Sequence, residues 1–576
     1  MSTPNQLPPT AIKKWQDAGA SLIVASKDYL DLCLDLAHDS FSEAEKPTDI
    51  ATRIDMAFDN ISDQLLKIKS TLGRTRNRLV SPLHRLPEEV LSTIFMNVVF
   101  DLNHPGVPDS TLMEEDIHLI YRRLYRLLGV CSTWRDILVA RGVFWSMIPM
   151  VISPSTKKQA PFELSMQRAG GAKLHLVAVA ESPDISQDVV EILTKFGPRF
   201  RAITLSAGDQ QVLIDSIDQL LQQGQVGTLT ELSIRSIDAF NSPSWFPSGD
   251  SYILKVDDSR QTSFVRLLAA LTTFHINGAH FYWPTISFSA RLVELWIENI
   301  TLGYDDAILP FLHALSSASQ LRELKIITVD TFRRRDSIST PMDISPPVIF
   351  PTLQSLFIRD IFCNTLRSLL RAIAPGSYHL TFFLRETSLQ NNLYYRDFDG
   401  EEFEQPDFGL ADVDELCGAL KRAPINTLML SESSDPDRRL KSTNLQALMG
   451  AMPSLKTLTM HGWSFDKDVW NSLTRPQTDQ TDQQTHSFPA LENLYLSEAT
   501  ILSDEGFQDM VVSHPLRRVV VGATAAANHS DDTQWEPLSE DSSAVMWLRN
   551  HVPDFHLVGS RYCPPEFQPV RWRFAY

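Results

Sequence analysis

Side chains able to do covalent or metal chemistry are present in this chain, but they do not converge. Cys33, Cys131, Cys363, Cys417 and Cys563 lie far apart with no ligand spacing. That spacing excludes a zinc knuckle and a disulfide framework and implies reduced thiols. His551 and His556 stand five apart, with Pro553 between them breaking the helix that would align them on one metal. No G-x-x-x-x-G-K-[ST] phosphate loop, H-E-x-x-H helix or G-x-S-x-G elbow occurs. No catalytic residue, metal or cofactor is therefore expected. The residues do support docking through apolar side chains, concentrated in Ser81–Trp145.

Pro87 suits the first position of a helix, and Glu88 and Glu89 place negative charge where the helix dipole favours it. Val90, Leu91, Ile94, Phe95, Val98 and Val99 then paint a broad apolar stripe. A second helix is predicted over Tyr121–Leu128, with Leu124, Leu127 and Leu128. A third follows Ser132, a good N-cap, with Trp134, Ile137 and Leu138, and Gly142 is its predicted stop. Three helices this short cannot bury all these apolar groups among themselves, so the surplus predicts a partner.

Leu86-Pro87-x-x-Val90-Leu91-x-x-Ile94-Phe95, followed by Leu127, Val130-Cys131-x-x-Trp134-Arg135 and Trp145, resembles an F-box. The resemblance spans Ser81–Trp145. It implies docking on the Skp adaptor of a cullin–RING ubiquitin ligase. The adaptor-binding residues it implies are Leu86, Pro87, Val90, Leu91, Ile94, Phe95, Leu127, Val130, Cys131, Trp134 and Trp145. One departure is the long Asp101–Ile120 gap between the first two helices, acidic at Glu114-Glu115-Asp116 and expected to be a surface loop. The competing reading is a helical subdomain that caps the following array.

The surrounding chain is too long for one ordinary core: 576 residues with 43% hydrophobic content imply several domains or a repeat array. A net charge of −18 opposes general nucleic-acid binding, which needs clustered cations. No apolar run reaches the length of a membrane span, and Met1–Lys14 lacks the apolar core of a secretory signal. Cytosol or nucleus is the expected compartment.

Residues 1–46 read as a polar segment with a helix from Trp15. Residues 47–80 hold Ile54, Phe58, Ile61, Leu65, Ile68 and Leu72, alternating steps of four and three, with Leu79 one heptad on. This coiled-coil seam fits either a homodimer or a helix folded back on the elements that follow.

From Lys173 the period changes. A phrase of apolar, two others, apolar, one other, apolar recurs as Leu229–Ile234, Leu292–Ile297, Leu321–Ile326, Leu353–Ile358, Ile425–Leu430, Leu455–Met460 and Leu491–Leu496. Fainter copies start at Leu174, Phe200, Leu271, His379, Leu516 and Val552. Many intervals are about 25–36 residues, with helical text between, which is the leucine-rich-repeat plan. One strand buries too little to offset the ordering of its own unit, so neighbours must share faces. The predicted fold class is α/β: N-terminal helices, a three-helix F-box-like unit at 81–148, and an irregular leucine-rich-repeat-like solenoid over 149–560. A non-repetitive α/β domain is the alternative. Phe332–Phe350, Gln390–Gly409, Gln477–Ser487 and Ala523–Ser543 read as loops.

A regular repeat carries asparagine three residues past the last strand apolar. Here Ile237, Ile300, Ile361, Trp463 and Ala499 occupy those slots, so the turns need another way to satisfy their backbone. The fifth phrase position faces away from the core and predicts an exposed row of Trp296, Lys325, Phe357, Phe383 and Tyr495 that binds a protein target. The competing occupant of that row is the chain's own tail at 561–576, aromatic and cationic at Arg571–Tyr576. Expected partners are thus a Skp-type adaptor, through it a cullin, and a protein substrate.

Overall fold

The computed structural model describes residues 9–38, 46–101, 113–152, 160–180, 186–222, 228–237, 247, 252–334, 346–394, 407–432, 440–476, 488–526 and 535–568. The chain divides into two compact units, Met1–Leu91 and Ser92–Tyr576. The first is dominated by two long helices, α1 (Pro9–His38) and α2 (Pro47–Val80). Pro47 opens α2, where its missing N–H costs nothing. A short 3₁₀ turn, Pro82–Arg85, then leads to Leu86 and Pro87. The seam residues of α2 are all exposed, between 39% and 68%.

Helix α3 (Glu88–Phe100) starts where Pro87 predicts, with its first intrahelical bond running from Leu91 N–H to Pro87 O. Helix α4 spans Met113–Val130 and α5 spans Ser132–Ala140. The expected loop is shorter than the sequence suggests. Glu114, Glu115 and Asp116 form the first turn of α4, where three carboxylates favour the positive end of the helix dipole. Residues 102–112 lie outside the described set. Gly142 sits so close to the Ala169 carbonyl that a Cβ would collide with it, so glycine is needed there for close approach, while the helix itself is capped one residue earlier by Arg141.

Fourteen strands then pair side by side, all parallel and in chain order. They are β1 (Met147–Ile152), β2 (Leu174–Ala180), β3 (Phe200–Ala207), β4 (Glu231–Ser236), β5 (Thr273–Asn277), β6 (Glu294–Tyr304) and β7 (Glu323–Arg334). The series continues with β8 (Ser355–Arg359), β9 (His379–Leu384), β10 (Ile425–Ser431), β11 (Thr457–His461), β12 (Asn493–Ile501), β13 (Arg518–Ala526) and β14 (Asp554–Leu557). Helices such as Ser186–Phe196, Gln210–Gln222, Ile308–Ser316 and Cys363–Ala372 fall between them, where the sequence between the phrases reads as helical. Fourth and sixth phrase residues, for example Leu356 and Ile358, are fully buried, as are the helix residues Leu366 and Leu369. The plan is leucine-rich-repeat-like: parallel neighbours that share one apolar layer.

The sheet starts one strand earlier than the repeated phrase, at β1, immediately after Trp145. Three predicted loops are partly strand. Phe332–Arg334 completes β7. Gln390–Tyr394 pairs with β7 and, antiparallel, with Asp407–Leu410. Trp535–Pro537 runs antiparallel to the end of β13. Backbone pairing overrides the polar composition in these edges. Residues 335–345, 395–406, 477–487 and 527–534 lie outside the described residues.

At four of the five slots the missing asparagine is explained by the residue before it; Ile237 instead follows the strand residue Ser236, which has no positive φ. Asn299, Asp360, Gly462 and Glu498 all have positive φ, as do Gly278 and Thr328. This left-handed residue turns the chain, so the next side chain points inward: Ile300, Ile361, Trp463 and Ala499 are buried. The neighbouring strand supplies the backbone bonds, as in Gly278 N–H to Glu298 O and Gly462 N–H to Ser497 O. A β-branched residue is the most strained occupant of this conformation. Thr328→Gly is therefore expected to raise stability by about 0.5–1 kcal/mol. At Gly462 an added Cβ meets no atom within 4 Å, so Gly462→Ala isolates the backbone cost and should lower stability by about 1 kcal/mol. Opposite signs in chemical denaturation check the assignment; equal signs contradict it.

Candidate protein-interaction surfaces

Two surfaces account for the residues singled out from sequence. On α3 the broad stripe divides in two. Leu91, Phe95 and Val99, each four apart, are buried, whereas Val90, Ile94 and Val98 at the same spacing are 42%, 38% and 46% exposed. Phe95 stacks at a tilt on Trp134, with centroids 4.7 Å apart. Leu86, Leu127, Cys131 and Trp134 are half-buried; Pro87 and Val130 are exposed. Trp145 is fully buried. Its indole N–H donates to Leu138 O at 2.8 Å, and the Arg168 guanidinium lies 4.5 Å over its ring. Leu91, Phe95 and Trp145 therefore serve the interior, and this corrects their placement on a docking surface. The exposed set is Pro87, Val90, Ile94 and Val130. The Tyr121 hydroxyl ties α4 to the sheet, donating to Met147 O at 2.8 Å and meeting Ser165 Oγ at 2.7 Å.

The second surface is the sheet face that carries the fifth phrase positions. The predicted row is two rows. His275, Trp296, Lys325 and Phe357 are lateral neighbours, but β8 pairs Phe357 with Thr381, which places Phe383 beside Arg359. The Arg359–Phe383 row then runs through Met429 and Thr459 to Tyr495. A two-residue offset keeps a side chain on the same face, so the alternation alone could not reveal the break.

The expected exposure is also corrected. Trp296 is only 6% exposed, stacked on His275 at 4.5 Å with Lys325 Nζ 3.5 Å over its ring. Phe383 is fully buried. Lys325, Phe357 and Tyr495 are half-buried. Flat aromatics shielded by cations and neighbouring rings hide the apolar area that sequence reading counts as free.

Over the Phe383 row lies the chain's own C-terminal segment. Phe567 packs edge-on against Phe383 at 4.9 Å and near His461 at 4.8 Å, joining Met429 in one cluster. Arg359 Nη1 donates to the carbonyls of Glu566 and Gln568, both at 3.3 Å. Arg359 Nε also pairs with Asp360 at 3.0 Å, and Arg385 lies 3.4 Å from the same carboxylate. The tail thus does cross this face, but through Cys563–Gln568; Arg571–Tyr576 lie outside the described residues. No sequence pattern marked Phe567, because Pro564-Pro565-Glu566 surrounds it with loop-like text.

Buried charge accompanies these rows. Glu298 accepts from Asn277 Nδ2 at 2.8 Å. Burial pushes its carboxyl up to about 7 despite the nearby charges of Arg359, Lys325 and Arg235. Asp330 is raised to about 7 as well, by burial and then by Asp360. A cavity of about 220 Å³ opens at the ends of β9 and β10, lined by Leu384, Arg385, Leu430, Trp463 and Asp466 among others. Among the described residues no group of three or more His, Cys, Asp or Glu side chains could hold a metal, and no helix is long and apolar enough to cross a membrane.

No protein-family model matches the sequence, and no curated protein matches it. Among solved structures, the chain is similar to the leucine-rich repeat-containing protein LegL7 from Legionella pneumophila at 13% identity. That match covers 62% of this chain and 88% of that one, with a TM-score of 0.26. It is similar to the yeast Rad7 and Elc1 complex at 13% identity, covering 86% and 98%, with a TM-score of 0.32. An internalin, inlF, from Listeria monocytogenes matches at 13% identity over 81% and 93%, with a TM-score of 0.21. Scores this low decide nothing alone. The leucine-rich-repeat-like plan stands on strand order and on the repeated phrase.

Glu298 gives a pH prediction. Its folded value lies above the ordinary 4.5, so the native state holds a proton that the unfolded chain has released. The group's contribution is full below about pH 4.5 and is lost as pH rises to about 7. Glu298→Gln should shrink the fall in Tm between about pH 5 and about pH 8, with the gain over wild type appearing at the higher pH. An unchanged slope contradicts this.

Proposed function

We propose that this chain is a non-catalytic substrate-binding subunit of a cullin–RING ubiquitin ligase. The exposed line Val90, Ile94 and Val98 on α3 carries the reading. A soluble helix has no reason to keep three stacked apolar side chains in water beside an already filled core stripe unless another chain covers them. In this reading, Leu86-Pro87 and the exposed line dock a Skp-type adaptor, and the solenoid of parallel strands holds the target. Ubiquitin chemistry belongs to the partners, with the chain acting by tethering, which raises the effective concentration of target lysines. Target contact falls on the less covered parts of the strand face, around Lys325, Phe357 and Tyr495, with Trp296 and Phe383 supporting that face from within. A soluble protein acting in the cytosol or nucleus, without nucleic-acid binding, fits the acidic balance and the reduced thiols.

A non-ligase interaction scaffold is the second reading. Burial of Leu91, Phe95 and Trp145 favours it, because a helical subdomain built onto the first strand would need those residues with no adaptor.

Adaptor capture separates the two. Ile94→Asp with Val98→Asp should weaken binding of a purified Skp-type adaptor by about 100-fold or more. The melting temperature should shift little, since both side chains are already exposed. Binding that survives the pair, or no binding by the wild-type chain, removes the ligase reading and leaves the scaffold.

A further inference from the structure

The seam of α2 is an exposed apolar feature that the docking reading does not use. Ile54, Phe58, Ile61, Leu65, Ile68, Leu72 and Leu79 form one line, and every one of them is exposed. The charges beside the line are sorted along the helix. Asp49, Asp55, Asp59 and Asp63, with Arg53, occupy its first half; Lys67, Lys69, Arg74, Arg76 and Arg78 occupy its second half, with no acid among them.

That sorting selects the occupant. Antiparallel pairing with α1, the other long helix of the same unit, is the first alternative. Its first half carries Lys13, Lys14 and Asp17, net basic, and its second half carries Lys27, Asp28, Asp31 and Asp35, net acidic. Folded back, it would set acid against the acidic start of α2 and base against the basic end. Like charges at this spacing repel. A parallel second copy of α2 has the same fault. An antiparallel second copy has the opposite property: acidic half meets basic half at both ends.

We propose that α2 is a self-association helix that pairs antiparallel with α2 of a second copy. In heptad terms Phe58, Leu65, Leu72 and Leu79 take a positions, and Ile54, Ile61, Ile68 and Thr75 take d positions. Placing Ile54 opposite the partner's Leu79 sets Ile61 opposite Leu72, Ile68 opposite Leu65 and Thr75 opposite Phe58, so no seam residue is left over. The same alignment puts Asp55 beside the partner's Arg76, twice by symmetry, as flanking residues that fix orientation. The pairing gives the assembly two target-binding surfaces and so raises avidity, and it is independent of the ligase reading.

The test uses the full chain with Cys33 changed to Ser, which removes an exposed thiol on α1. It should sediment at twice the 65.0 kDa chain mass. Ile54 and Leu79 are about 37 Å apart along one helix, so a short bismaleimide can join cysteines at these two positions only between copies. The Ile54→Cys, Leu79→Cys chain should cross-link to a covalent dimer, and Ile54→Cys alone should not. Asp55→Arg or Arg76→Asp should each weaken the dimer about tenfold, and the two together should restore it. A monomer at all concentrations overturns the proposal, as does cross-linking of Ile54→Cys alone, which reports a parallel pair.

Discussion

Every strand in this protein depends on its neighbours to close its apolar layer. Leu356 and Ile358 lie beside the equivalent residues of β7 and β9 and are fully buried. A strand of this length with one helix cannot offset the entropy of ordering itself. The strands therefore appear in chain order and parallel, the arrangement that lets each unit share its faces with the units on either side. The left-handed residues follow from the same constraint. Inward placement of Ile300, Ile361 and Trp463 requires the chain to turn one residue earlier, at a conformation that non-glycine residues tolerate only when packing on both sides enforces it.

A shared layer leaves unsatisfied surface where sharing stops, and the chain treats its surplus surfaces differently. The strand face opposite the helices is partly closed from within, by Phe567 against Phe383 and by Arg359 holding two carbonyls of the C-terminal segment. Trp296 is closed by a stacked imidazole and an ammonium. The outer line of α3 and the seam of α2 stay open to solvent in part, at 38–46% and 39–68% exposure. Surfaces that the molecule has the means to cover, yet leaves open, are the ones that point to other chains.

The sequence made the periodic features legible and the aperiodic ones not. The six-residue phrase located the strands because burial of alternate residues is a local property, and Pro87 with two glutamates located the start of α3 because capping is local too. The phase shift between β8 and β9 could not be read, since an offset of two preserves the inside–outside pattern while moving Phe383 to another row. Nor could the division of the α3 stripe: Val90 and Leu91 are chemically alike, and only the packed neighbours make one exposed and the other buried. Polar edge strands such as Gln390–Tyr394 resemble loops in sequence because their stability comes from pairing with β7, a residue range distant in sequence. Phe567 was invisible for the same reason: its partners lie in strands encoded far upstream.

The account depends on Val90, Ile94 and Val98 being covered by a foreign chain. Hydroxyl-radical footprinting of the full chain, with and without a purified Skp-type adaptor, reads the solvent access of these side chains directly. The account predicts that Val90, Ile94 and Val98 lose reactivity when the adaptor is added, while Tyr495 on the sheet is unaffected. Unchanged labelling of the three residues at saturating adaptor would contradict it.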